Sequence, residues 1–511
     1  MNDTAERARG TVASCEVPTH EENRLRRDAI SFPEALAQSV SVMAPAMSGA
    51  FVTYLAAIKA GGATPLAFLM AMVSCLLIGG VVSSFALRLP SAGSLYTYTV
   101  DGLGSFWGFI VGSTYSLALI IAGPAVLAGF AVFTGLVMRN VGAPGLLGQW
   151  WLWFAVGLVL YFFLSWFGIG FSTRTQLVFT AATVATLLLL AVVIIGKGGA
   201  RGNTLAAFSP GAAGVSWPLV LAGMAFGILS FTGFETAAVL GEETRNPRRA
   251  IPWAVLGSVI FGGVFYVVVT YATSIGYGVR EATTAWPKSA AGISALADSY
   301  ASYLGNWVLL AGGLSALFCG LGLHTAATRT FYVMGRDGVL PKPLGRTHRR
   351  YRTPHVAIVA NLALMIAVSA VIIGATGQAT RNTVGATPGP LSSGFYLFAE
   401  GLTIISPLVM ACYALLSIAG IRSAVRARAG GRRHDVRHLA VPVGSLLASG
   451  VAVFGSLYYS FKEVAPGAGI PAPYRAVPLV AAAAVLTAAS AALVLRHRRR
   501  EAWDAMGAIF E

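Results

Sequence analysis

Apolar runs about as long as a lipid bilayer is thick recur from residue 34 to residue 496 of this 511-residue chain. Such a run needs about 20 residues to cross as a helix. Only 11% of residues are charged and 56% are hydrophobic, whereas a soluble protein carries roughly 25% charged residues. Inside hydrocarbon every backbone N–H and C=O must be paired within its own segment, so runs this long must be helices. The sequence is therefore read as an all-α integral membrane protein with twelve transmembrane helices. They lie at 34–58, 64–88, 104–137, 149–168, 175–196, 217–241, 251–277, 304–333, 355–374, 393–418, 439–460 and 476–496. The third and eighth are long enough to tilt or to project beyond the bilayer.

The net charge of +16 does not mark a nucleic-acid binder, because the arginines sit in short loops between apolar runs. They set orientation instead. With the N-terminus inside, about 27 of the 36 basic residues fall on the cytoplasmic face and about 9 outside. We expect a multi-pass protein of the cell membrane with both termini cytoplasmic. The expected organisation is a cytoplasmic tail at 1–33, a ten-helix core at 34–418, a loop and two extra helices at 419–496, and a second cytoplasmic tail at 497–511. Residues 1–30 are polar and hold no apolar core, so the first span is expected to act as its own insertion signal. Cys15, Cys75, Cys319 and Cys412 show no metal or disulfide spacing. No cofactor or metal is expected, and nothing indicates oligomeric state.

Two spans carry interruptions. The first contains Pro45, which lacks a backbone donor, followed by Ser48–Gly49, where a break is tolerated. The sixth contains Thr232–Gly233. If spans 1–5 and 6–10 form two halves, repeats of about 34–197 and 217–418, these breaks occupy corresponding places. Matched breaks point to an inverted-repeat transporter site. Opened half-helices offer free N–H groups with positive dipole ends and free carbonyls with negative ones. A zwitterion suits that arrangement. Beside the second break lies Glu235, an acid within an apolar stretch, which is costly without compensation.

Three ordered motifs sharpen this reading. FTGFETAAVLGEETRNPRRAIP (Phe231 to Pro252) resembles the sixth-span signature of the amino acid–polyamine–organocation permease superfamily, through Phe231, Gly233, Phe234, Glu235, Glu242, Glu243, Asn246, Pro247, Arg249, Ile251 and Pro252. The stretch after span eight resembles the family at Arg329, Met334, Arg336, Asp337, Gly338, Leu340, Pro341 and Pro354. The loop before span three does so at Pro90, Gly93, Tyr96, Tyr98 and Gly102. The resemblance implies a five-plus-five inverted-repeat (LeuT-type) core with two extra helices. It implies a carboxylate-binding stretch at Ser48, Gly49 and Ala50, and an unwound stretch at Phe231, Thr232 and Gly233. Carbonyls there, including that of Leu229, would take a substrate ammonium, and Phe231 or Phe234 would cap it. The charged loops are implied to help close the inner side. In physical terms, Asn246–Pro247 reads as a cap and first helical position opening span seven, and Arg336–Asp337–Gly338 as the turn ending span eight.

Three further positions have two readings each. Glu235 either binds a cation or relays a proton, or it caps N–H groups opening the second half-helix. Family members with neutral substrates also carry an acid there, which favours the cap. Glu400 either attracts cations at an outer vestibule or is solvated at the interface. His324 either relays protons or is a hydrogen-bonded packing residue. Thr183 stands where some proton-coupled relatives carry a lysine, in the register of Ser172, Arg174 and Thr175, so that lysine mechanism has no support here. Coupling is left among protons through Glu235 or His324, sodium through span-eight hydroxyls such as Ser315, and exchange. The expected function is a secondary active transporter of amino acids or related amines, not an enzyme. A small neutral or branched amino acid is the first expectation, and a polyamine or amino alcohol the second. A polytopic membrane enzyme with His324 as base would need a second catalytic group and a cofactor or lipid-substrate cleft, and a transporter-like nutrient sensor a signalling domain or long partner-binding tail; neither pattern is expected here. No phosphate-binding loop supports direct ATP use.

Overall fold

A computed structural model describes residues 25–143, 145–286, 293–376, 392–429, 437–498 less 463–476, and 500, 503 and 506. Cys15, most of both expected tails and most of the stretch between the expected spans 355–374 and 393–418 lie outside the described residues.

Among the described residues the fold is helical, with one isolated bridge between Ile30 and Thr244. The first interrupted span comprises α1 (Phe32–Val42), α2 (Pro45–Met47), a π-helical turn at Ser48–Val52 and α3 (Thr53–Ala60). α4 (Thr64–Ala86) follows after a 3₁₀ turn at Gly61–Ala63. The short α5 (Leu95–Leu103) precedes α6 (Ser105–Asn140), and α7 (Trp150–Trp166) and α8 (Ile169–Gly196) complete the first half. The connector contains the four-residue α9 (Pro210–Ala213). The second interrupted span is α10 (Trp217–Phe231) followed by a 3₁₀ helix at Phe234–Leu240. Then come α11 (Pro247–Tyr277), α12 (Val279–Ala285), α13 (Ile293–Tyr300), α14 (Gly305–Arg336), α15 (His355–Thr376), α16 (Ser392–Ala429), α17 (Arg437–Lys462) and α18 (Val477–Arg498).

Local chemistry explains several boundaries. Glu34 opens α1 by accepting from the Ser31 N–H and hydroxyl, a capping box that satisfies orphan donors. α11 begins at Pro247, as expected, because a first-turn proline gives up no hydrogen bond. Asn246 precedes it in the left-handed region (φ 49°) and makes no side-chain capping bond. The expected cap is thus replaced by a conformational role. The residue before proline is disfavoured in the right-handed helical region, and asparagine tolerates the left-handed one. α14 ends at Arg336, with Gly338 at φ 76° completing the turn.

Nine segments among the described residues are long and apolar enough to cross a membrane. One of them, Phe32–Ala86, is 55 residues long. That is more than twice a single crossing, and it is interrupted after Val42 and again at Gly61–Ala63. α6 and α14 form the buried centre and pack against each other, as do α4 and α11. α7, α15 and α18 turn apolar side chains such as Trp151, Val371 and Leu479 outward, which suits a lipid solvent.

Candidate functional site

The first break lies a turn earlier than expected. α1 stops at Val42, Met43 caps it, and Ala44 turns left-handed at φ 47° before Pro45 restarts a helix. Ser48, Gly49 and Ala50 sit in the following π-helical turn. Pro45 explains the displacement. Its ring disfavours the helical region for Ala44, so the chain opens before the proline, where the missing N–H costs nothing. Gly49 faces packed side chains, since a Cβ there would sit 3.2 Å from both Leu187 and Phe265. Ser48 does reach the break, its Oγ donating to the Met43 carbonyl at 3.1 Å.

The second break falls where expected. Thr232 is extended (φ −51°, ψ 129°) and Gly233 adopts φ 110°. Gly233 is constrained twice, because that φ suits glycine and a Cβ there would overlap Val42 at the end of α1. The Leu229 carbonyl accepts the Thr232 N–H at 3.1 Å, closing the last turn, so the ammonium role expected of it meets a prior backbone partner. Phe231 and Phe234 are fully buried, against Tyr266 and Tyr413 respectively, and neither presents a face to an open site here.

The two breaks are bonded to each other. Ser39 Oγ on α1 donates to the Phe234 carbonyl at 2.5 Å and accepts the Ala237 N–H at 2.9 Å. It thereby stands between a carbonyl and an N–H three residues apart in the first turn of the second half-helix. On the other side, Tyr266 of α11 places its hydroxyl 2.8 Å from the Met43 carbonyl and 2.9 Å from the Ser230 carbonyl. One phenolic proton serves two carbonyls, one from each interrupted span. The hydroxyls of Ser41, Ser230 and Thr232 beside the breaks are buried without partners.

Glu235 is 1% exposed. Its Oε2 accepts the Gly233 N–H at 3.0 Å and the Tyr413 hydroxyl at 2.7 Å, and its Oε1 accepts the Tyr115 hydroxyl at 2.9 Å. Three donors therefore face the carboxylate, one of them the backbone N–H that opens the half-helix. Among the described residues no Lys, Arg or His forms an ion pair with it.

The remaining expected residues stand apart from this cluster. His324 in α14 is fully buried, its Nδ1 2.7 Å from Asn361 Nδ2 of α15, while its Nε2 has no partner. Glu400 is buried in α16, with Oε1 unpartnered. Thr183 Oγ1 donates to the Thr180 carbonyl at 3.0 Å. Ser315 is buried in α14. None of the four hydrogen-bonds to Glu235 or to either break.

The charged motifs converge at one end of the bundle. Arg329 and Glu243 form a buried pair, Nε to Oε2 at 2.8 Å. Arg336 binds Glu242 through both terminal nitrogens at 3.1 Å, and Glu242 Oε1 also accepts the Ala92 N–H at 3.2 Å. The Tyr96 hydroxyl donates to Asp337 at 2.9 Å. Burial, then the Asp337 charge, pushes the Tyr96 phenol well above its ordinary range. The segment before α1 joins this layer, with the Ile30 N–H on the Glu243 carbonyl and the Arg245 N–H on the Ile30 carbonyl.

The profile of the family described as amino acid permease matches residues 38–496. This chain belongs to that family. It is 27% identical over 335 residues to cationic amino acid transporter 4 of Mus musculus, covering 61% of this chain and 51% of that protein. It is 28% identical over 315 residues to the low-affinity putrescine importer PlaP of Escherichia coli strain K12, covering 60% and 67%. The branched-chain amino acid permease BcaP of Bacillus subtilis strain 168 is 26% identical over 332 residues, covering 61% and 68%. The aligned region thus spans about half of the mouse relative. These relatives are named as transporters, not enzymes, and the family together with the apolar helices describes a multi-pass membrane protein.

Proposed function

We propose that the chain is a secondary active transporter moving amino acids or related amines across the cell membrane by alternating access. The observation that carries this reading is the mutual bonding of two interrupted helices through Ser39 and Tyr266. Irregular backbone at membrane depth must be buried in protein or line a cavity, and here two such stretches face each other. Their free half-helix ends suit a zwitterion, with N–H groups for a carboxylate and carbonyls for an ammonium. The relatives' names extend from branched-chain amino acids to putrescine, and the proposal is bounded by that range.

The proposed architecture is twelve crossings with both termini cytoplasmic, a five-plus-five inverted repeat over 34–418, and two peripheral helices. Corresponding helices of the two halves pack as partners, α4 with α11 and α6 with α14, which supports the repeat. The proposed substrate site is the pair of breaks, centred on Met43–Ser48 and Leu229–Gly233. Glu235 acts there as a cap tied to Tyr115 and Tyr413, since its oxygens are already met by three donors. A small neutral or branched amino acid fits this best. A polyamine or amino alcohol is the second reading, favoured by the unpartnered Glu400 Oε1. Coupling to protons, to sodium or to exchange is assigned by varying each gradient in turn.

The test is uptake by the purified full-length protein in liposomes, using labelled amino acids, putrescine and ethanolamine. Accumulation of at least one, driven by a proton, sodium or counter-substrate gradient, is expected. No uptake of any across all three driving forces would end the transport reading.

A further inference from the structure

The contact between Tyr266 and the two breaks goes beyond a structural brace. Met43 caps the C-terminal end of α1 and Ser230 lies in the last turn of α10, so both carbonyls belong to negative half-helix ends. They converge on one neutral hydroxyl. The Met43 carbonyl also holds the Ser48 hydroxyl. Neutral donors thus occupy a place whose field favours a cation. Polar capacity nearby is unspent, because Ser41, Ser230 and Thr232 each bury a hydroxyl without a partner. The site can accept more hydrogen bonds than it makes here. Tyr266 itself lies outside all three sequence motifs.

We infer that Tyr266 is the specificity-determining residue for the substrate's amino group, a reading that rests on the breaks being the substrate site. Without substrate its hydroxyl bridges Met43 and Ser230. A primary ammonium displaces it from the carbonyls, giving one N–H to each, and directs its third N–H to the Tyr266 oxygen, which turns from donor to acceptor. A charged donor outcompetes a neutral one for a carbonyl, since charge-assisted hydrogen bonds are about twice as strong. An ammonium with one methyl group has only two N–H donors. It satisfies the carbonyls but sets its methyl group against the phenolic oxygen. The chain therefore selects primary amines.

The test uses full-length wild-type protein and Tyr266→Phe, which keeps the ring that packs against Phe68, Phe231 and Phe265. Thermal stabilisation is titrated with L-leucine, L-serine, L-arginine and putrescine. Each is paired with its N-methyl form, the putrescine partner being methylated on both nitrogens. The wild type should bind at least one primary form about tenfold or more tightly than its methylated partner, the worth of one hydrogen bond to a charge. In Tyr266→Phe that ratio should fall to within about twofold. Equal loss of both forms in the variant would leave Tyr266 a brace and overturn the inference. Equal binding of both forms by the wild type would do so even if the variant does not fold. Wild-type protein that binds none of the probes removes the functional reading as well as this one.

Discussion

Arg329 and Glu243 face each other with 4% and 1% of their side chains exposed, Nε to Oε2 at 2.8 Å. Glu243 follows the second half-helix and Arg329 belongs to α14, so the pair ties a broken span to the central helix pair. Removing one partner of a buried pair costs about 3–5 kcal/mol, because the other charge is left uncompensated, while replacing both with apolar residues is often neutral. Glu243→Ala should therefore lower the thermal midpoint sharply, and Arg329→Met/Glu243→Met should restore most of it. A double variant no more stable than Glu243→Ala would refute this account.

The second break makes a sharper claim. Gly233→Leu must place a side chain where Val42 already lies, at a φ of 110°. Non-glycine residues with such φ values are strained. Uptake should be lost while the protein still reaches the membrane. Gly49→Leu should also abolish uptake, because a Cβ alone would already sit 3.2 Å from both Leu187 and Phe265 and a longer side chain must displace them. Normal uptake by both variants, measured in liposomes at matched protein density, would disprove the assignment.

Both interruptions were readable because proline and glycine are local signals with local causes. Pro247 opening α11 and the turn after Arg336 were readable for the same reason. The first break opens a turn before Ser48–Gly49, where the sequence tolerates one. The strain falls instead on Ala44, the residue before the proline. Ser39, Tyr115, Tyr266 and Tyr413 carried no signal at all. Their partners are 36 to 223 positions away in sequence, and a tyrosine in an apolar run reads equally well as packing or as an interfacial anchor. The acid at 235 was visible, but the donors that make it tolerable were not.

Alkaline pH should act on the Tyr96–Asp337 contact. The folded state holds the Tyr96 proton more tightly than the unfolded chain, where a phenol titrates near about 10. The stability Tyr96 contributes is thus fully present below that pH and is lost as pH rises through the higher folded-state value. Tyr96→Phe should be less stable than wild type at neutral pH, by about 1–3 kcal/mol for the lost bond to a charged acceptor. The gap in thermal midpoint should narrow as pH climbs above about 10. A gap that stays constant or widens over that range would contradict the assigned direction.

Glu235→Gln separates the two roles of the buried acid. Glutamine keeps one acceptor oxygen but presents an amide NH₂ in place of the other, so it can retain either the Tyr115 hydroxyl or the Tyr413 hydroxyl with the Gly233 N–H, not all three. A cost of about 1–3 kcal/mol in stability follows from one unsatisfied buried group. If Glu235 is a cap, affinity for neutral amino acids should remain within a few-fold of wild type, since the substrate never meets the carboxylate. If it reads charge, uptake of putrescine or ethanolamine should collapse while the neutral series survives. Thermal-shift affinities and liposome uptake for both series, taken on the same preparation, decide between them. Loss of neutral amino acid binding in a variant that keeps its fold would show that the carboxylate contacts every substrate and is no mere cap.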